Sequence, residues 1–146
     1  NRRRLAVAEI VPVAGDAAAP PLSAGRFERV LFDAPCSGTG TLRKNPEIRY
    51  RVTPDAIERL AAAQESALAA AASLLAPGGF LLYSTCSLEE EENERVVRRV
   101  LQGDPGLELA PIEAPDGLKP FVSGSLFRLF PDALTDGFTA QLLRRR

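Results

Sequence analysis

The sequence predicts an α/β fold whose open, mostly parallel sheet finishes in antiparallel strands. Three observations carry this. Short apolar runs alternate with two stretches of helical periodicity, two of those runs end in a cysteine-bearing segment, and a pair of strand-like segments closes the chain.

Ile10 to Ala14 reads as a first strand ending in the turn Gly15-Asp16, although Pro12 cannot complete a sheet ladder. Ala17 to Gly25, with two prolines and small residues, is a loop. Arg29 to Phe32 is the second strand, closed by Asp33-Ala34-Pro35, and Cys36 to Gly40 is a tight glycine-bearing loop. Thr53-Pro54-Asp55 opens a helix with a cap, a proline at the first helical position and an acid in the first turn. Ile57, Leu60, Ala61, Ala67, Leu68, Ala71, Leu74 and Leu75 follow with helical spacing.

Ala76-Pro77-Gly78-Gly79 stops that helix, and Phe80 to Tyr83 is a strand apolar enough to be covered on both faces. Ser87 and Glu90 resemble a capping box for a second helix, whose apolar face is Val96, Val97, Val100 and Leu101. Gly103 to Gly124 looks irregular. Ser125 to Phe130 and Phe138 to Leu143 are the late strands.

Composition narrows the chemistry. A length of 146 residues suits one domain with a real core. No histidine and only two cysteines argue against a Ser-His-Asp triad or a zinc site, so no metal is expected. No apolar run approaches the roughly 18 residues of a membrane span, and reduced thiols in the cytoplasm are the expectation. The net charge is −1, so any nucleic-acid surface has to be local. The best candidate is Arg43, Lys44, Arg49 and Arg51, opposed within that stretch only by Glu47; a solvated loop is the plain alternative.

The chemistry concentrates in two segments of one design, FDAPCSGTG and LLYSTCS, each a buried strand with a cysteine at or just past its C-terminal end. Ligands of open parallel sheets sit outside the carboxyl ends of the strands, so Cys36, Cys86 and Asp33 are expected to share one crevice. A lone cysteine is more often an inert buried residue. Two at matching strand ends make that reading weaker.

These residues carry a specific resemblance. Asp33 to Gly40 resembles the proline-cysteine motif of the Nol/Nop/Sun (RsmB-like) family of RNA cytosine-5 methyltransferases, and Ser84 to Ser87 followed by Glu91-Glu92-Asn93-Glu94 is similar to its threonine-cysteine motif. Arg43 to Glu47, and Arg128 to Pro131 with Asp136 to Phe138, are similar to further family segments. The resemblance implies a Rossmann-like S-adenosylmethionine-dependent methyltransferase sheet, with residues 1–146 as the C-terminal portion of its catalytic domain. On that reading the N-terminal strands, the cofactor glycine loop and any N-terminal RNA-binding region lie outside this chain, which alone is expected to be incomplete and inactive. The missing N-terminal part and an RNA, ribosomal by resemblance, are the implied partners.

Carbon 5 of cytosine is a poor nucleophile. A thiolate adding to carbon 6 makes carbon 5 enamine-like and able to take a methyl group, so covalent catalysis divides one hard step into easier ones. The resemblance implies that Cys86 attacks and that Cys36 assists release of the product; spacing alone does not choose between the thiols. It also implies that Asp33 acts at this shared site, on the cytosine ring or on the cofactor, and that Asp16 lies beside the cofactor adenine. A helix start after Cys86 would favour its thiolate. Glu89 to Glu92 would oppose it if close, and are expected to serve the helix start and face solvent.

Ala76 to Gly79 has the letters of a cofactor glycine loop but stands after a helix and before a strand, the reverse of what such a loop requires, and is a turn. The competing reading of the whole is a non-catalytic RNA- or protein-binding module on a methyltransferase-like scaffold.

Overall fold

The computed structural model describes residues 10–146. In chain order the elements are β1 (Phe27–Asp33), α1 (Pro54–Ser73), β2 (Leu75–Thr85), α2 (Glu94–Gly103), β3 (Leu107–Leu109), β4 (Val122–Ser123), β5 (Leu126–Leu129) and β6 (Phe138–Arg145). They form one mixed sheet in the order β1-β2-β6-β5-β4, with β3 also pairing β6.

The strands around Val30 and Leu81 are adjacent and parallel, as expected, with Val30 opposite Leu81 and Asp33 opposite Ser84. The antiparallel part is larger than the sequence implied. Among the described residues β1–β2 is the parallel pairing, while β2–β6, β3–β6, β4–β5 and β5–β6 are all antiparallel. Beside β6, β5 pairs the stretch 138–141 and β3 pairs the stretch 143–145.

One face of the sheet holds the core. Leu81, Tyr83 and Leu143 are buried there with Ala61, Leu68 and Ala72 of α1 and Val96, Val97 and Val100 of α2. Small residues dominate the buried stripe of α1, which lets the helix approach the strands closely. Thr53 caps α1 by accepting from the Ala56 amide at 3.2 Å, with Pro54 opening the helix. Charged pairs Arg95–Glu58 and Arg99–Glu65 tie α2 to α1 on the outer side.

Four local expectations are corrected. Ile10 to Ala14 is not a strand: it makes no sheet pairing, and Ile10, Val11 and Val13 are exposed. Pro12 removes one donor from that run. Ser87 and Glu90 do not cap α2, because the chain first makes a 3-10 turn at Glu90–Glu92 and α2 begins only at Glu94. The Gly103–Gly124 stretch, expected to be irregular, contributes β3, β4 and a 3-10 segment at Asp116–Phe121. Ala76 to Gly79, expected as a turn ahead of the strand, instead lies inside β2, which starts at Leu75 just after α1. It interrupts the β1–β2 register between the Phe27↔Leu75 and Arg29↔Phe80 pairs, and Gly78 has a φ of 77°. Among the described residues no helix is long and apolar enough to cross a membrane.

Candidate active site

Parallel pairing of β1 with β2 fixes the site, because it sends both cysteine-bearing loops out of the same end of the sheet. The Ala34 amide donates to Ser84 O at 2.8 Å, extending the ladder past Asp33, and the Gly40 amide donates to Cys86 O at 2.9 Å. Thr39 Oγ1 accepts from the Leu88 amide at 3.0 Å, and Ser37 Oγ lies 3.2 Å from Ser87 Oγ. The two loops are thus bonded to each other on both sides of the thiols. Gly38 makes the bend between them at a φ of 75°, a left-handed conformation that favours glycine.

The outcome is a thiol pair. Cys36 Sγ lies 3.2 Å from Cys86 Sγ; both cysteines are free and half-buried. Burial pushes the Cys36 thiol up to about 12, and the adjacent Cys86 adds to the rise through its hydrogen bond and charge. Cys36 therefore keeps its proton at neutral pH, and its sulfur lies within hydrogen-bond reach of the Cys86 sulfur, a contact in which either thiol can donate. Asp33 closes the cluster from the end of β1. Its Oδ1 accepts from Ser84 Oγ at 2.9 Å while the residue remains exposed.

The other predicted site residues are placed less centrally. Asp16 lies in an exposed loop, where its Oδ1 accepts from the Ala18 amide at 2.9 Å. Arg43 and Lys44 follow the Cys36 loop and both pair with Asp136, whose carboxyl is held below the usual carboxylate range chiefly by the Lys44 hydrogen bond. Arg49 and Arg51 sit in and just after a 3-10 turn at Pro46–Tyr50. The Arg49 guanidinium lies 5.4 Å from the centre of the exposed Tyr50 ring. Ile48 of this turn approaches Gly38, so the basic segment flanks the thiol loop. A groove of about 500 Å³, lined by Arg29, Phe80, Glu108 and Arg144 among others, lies toward the other end of β1 and β2 and contains none of the predicted site residues.

A buried polar layer supports the thiols, and the sequence reading missed it. Glu92 is fully buried, not solvent-facing as expected, and accepts from the Ser37 amide at 2.8 Å and from Gln64 Nε2 at 3.0 Å. Tyr83 donates its phenol to Glu92 O at 2.6 Å; burial raises its pKa, reinforced by the charge of Glu92. Asn93 bridges the same layer, accepting from Thr85 Oγ1 at 2.7 Å and donating to Ser87 O at 3.1 Å. Gln64 did leave a signal, as a polar residue between Ala61 and Leu68 on the apolar stripe of α1. Glu92 left a signal only as part of the segment Glu91-Glu92-Asn93-Glu94, and nothing within its run of four glutamates marks it as the buried one.

Known proteins resemble this chain in sequence and fold. Residues 1–144 match the family model described as 16S rRNA methyltransferase RsmB/F. The ribosomal RNA small subunit methyltransferase B of Thermus thermophilus is 42% identical over 120 residues, covering 82% of this chain and 30% of that protein. A probable methyltransferase B of Bacillus subtilis is 37% identical over 125 residues, covering 83% of this chain and 28% of the relative. The crystal structure of NSun6 from Pyrococcus horikoshii, solved with the S-adenosylmethionine analogue SFG, superposes with a TM-score of 0.78 at 32% identity. It covers 99% of this chain and 36% of that structure. The chain thus spans about a third of the length of these relatives, and with its family match running from residue 1 to residue 144 it belongs to the RsmB/F family of S-adenosylmethionine-dependent 16S rRNA methyltransferases.

Proposed function

We propose that these residues carry the thiol chemistry of methyl transfer to carbon 5 of cytosine in ribosomal RNA. The observation that supports it most is the Cys36–Cys86 contact of 3.2 Å at the carboxyl ends of two adjacent parallel strands, with the open carboxyl of Asp33 at the same end.

In this reading the Cys86 thiolate adds to carbon 6, and the S–H of Cys36 donates a hydrogen bond to that sulfur. Once carbon 5 is methylated, transfer of its proton to a water molecule expels the Cys86 sulfur as a thiolate. The same S–H then stabilises the departing charge, which gives Cys36 its part in release. Asp33 keeps one oxygen on Ser84 and offers the other to the cytosine ring, favouring its protonated form during attack.

S-Adenosylmethionine would supply the electrophilic methyl group. Asp16 fits as a holder of its hydroxyl or amino groups, because it is exposed and, among the described residues, has one carboxyl oxygen engaged; the second oxygen of Asp33 would serve the cofactor only in place of the cytosine ring. Arg43, Lys44, Arg49 and Arg51 would meet the RNA backbone beside the thiols, with Tyr50 as a stacking surface.

The test uses the whole protein, S-adenosylmethionine and small-subunit ribosomal RNA carrying 5-fluorocytosine, which blocks proton loss at carbon 5. A covalent RNA–protein adduct is expected, and Cys86→Ala should remove it. RNA binding without an adduct by the folded protein would instead support the non-catalytic module.

A further inference from the structure

Cys36 is held by both of its peptide neighbours. On one side Gln64 Nε2 donates to Pro35 O at 2.8 Å. On the other, Glu92 Oε1 accepts from the Ser37 amide at 2.8 Å, while Glu92 Oε2 accepts from Ser37 Oγ. Gln64 and Glu92 are also bonded to each other, Nε2 to Oε1 at 3.0 Å. The two side chains form a clamp whose jaws close on the residues before and after the thiol.

The clamp is costly for a device with no task. Gln64 is 1% exposed and Glu92 0%. Among the described ion pairs none reaches Glu92. A buried carboxyl group without a cation persists only when donors satisfy it, and an apolar residue of similar size is often the more stabilising choice. Gln64 Oε1 adds to the cost, since it finds no partner among the described residues. What the clamp provides is placement. Glu92 ends the 3-10 turn that follows Cys86, and the backbone between them is bonded to the Cys36 loop through Gly40 and Thr39. Fixing Ser37 to Glu92 therefore fixes the Cys36 sulfur relative to the Cys86 sulfur.

We propose that Glu92, with Gln64 as its partner, is the positioning residue that holds Cys36 in contact with Cys86. Neither side chain touches the sulfurs or an open surface; they act through the Pro35–Ser37 backbone. The consequence for product release rests on the methyltransferase reading above, whereas the placement of the thiols does not.

Glu92→Gln separates shape from charge. The new amide oxygen can keep the Ser37 N–H and Gln64 bonds. The new amide nitrogen can donate to Ser37 Oγ, which then turns its hydrogen to Ser87 Oγ, 3.2 Å away. Glu92→Ala instead leaves the Ser37 and Gln64 donors without an acceptor.

Two measurements on the full chain test this. The first is the rate at which an azodicarboxamide oxidant, taking up two hydrogens, converts the two thiols to a disulfide. Wild type and Glu92→Gln should react alike, and Glu92→Ala on the order of tenfold more slowly, since small misplacements of reacting groups cost that much or more. If Glu92→Ala does not fold, Gln64→Met, which frees Pro35 O and leaves Glu92 in place, should slow the same reaction. An unchanged rate in the folded Ala or Met variant, or a slow rate in Glu92→Gln, overturns the proposal.

The second measurement is the RNA adduct formed with unmodified substrate. Glu92→Ala should retain attack by Cys86 but accumulate adduct, with release restored in Glu92→Gln. Slowed oxidation with that rescue supports the clamp even if no variant forms an adduct. That last result would count against the methyltransferase reading alone.

Discussion

Gly40 and Gly137 meet backbone to backbone: the Gly137 amide donates to Gly40 O at 2.7 Å, and a Cβ on Gly40 would lie 2.8 Å from Gly137 O and 2.7 Å from Cys86 O. This contact joins the Cys36 loop to the segment that leads into β6. Gly40→Ala should therefore cost about 1–3 kcal/mol, the range for forcing atoms into a packed site. Gly103→Ala is the control, because none of the described residues lies within 4 Å of its added carbon. Denaturant unfolding that shows equal stability for the two variants would mean that the loops are not packed as described.

Alkali should weaken the fold through Cys36. Its folded pKa of about 12 lies above the ordinary 9.0, so between those values the unfolded chain holds fewer protons than the folded one. Stability from this group is then fully present below pH 9.0 and falls as pH rises toward about 12. Tyr83, raised above its ordinary 10.0, adds a loss of the same sign at higher pH. Cys36→Ser, which does not titrate there, should flatten the decline that begins near pH 9.0. A decline of the same steepness in both proteins would show that Cys36 is not buried as a thiol.

The strand-plus-cysteine design was legible because it is written in local sequence. Val30 to Phe32 and Phe80 to Tyr83 are apolar runs, and Cys36 and Cys86 lie just beyond the respective strand ends. Parallel pairing does the rest, so the shared end of the sheet could be anticipated. The support beneath the thiols was not legible. Which of Glu89 to Glu92 turns inward depends on a 3-10 turn delaying α2 to Glu94, and the apparent capping box at Ser87 and Glu90 predicted the opposite. Ser87 is used instead in the contact between the loops, where its Oγ lies 3.2 Å from Ser37 Oγ and accepts from the Glu89 amide. Ile10 to Ala14 failed for a complementary reason: an apolar run becomes a strand only where a partner edge receives it. Asp16, Arg49 and Arg51 were identified as candidates from sequence, and the fold leaves all three exposed.

The basic segment offers a salt-dependent test. Arg43 and Lys44 share Asp136, so an RNA phosphate has to compete with that carboxylate. Asp136→Asn should strengthen RNA binding at low salt and steepen its salt dependence. Arg51→Ala should reduce the slope of log affinity against log salt by about one. Slopes unchanged in both variants would remove this segment from the RNA interface.

The division of labour between the thiols is the central claim, and denaturing gels of the whole protein with unmodified ribosomal RNA and S-adenosylmethionine test it most directly. Cys86→Ala should form no RNA–protein band and transfer no methyl group. Cys36→Ala should attack and methylate yet stay attached to its product, giving a persistent band, because the S–H donor 3.2 Å from the departing sulfur is gone. Circular dichroism of both variants fixes that each is folded. A persistent band with Cys86→Ala and none with Cys36→Ala would contradict the account and assign the attack to Cys36.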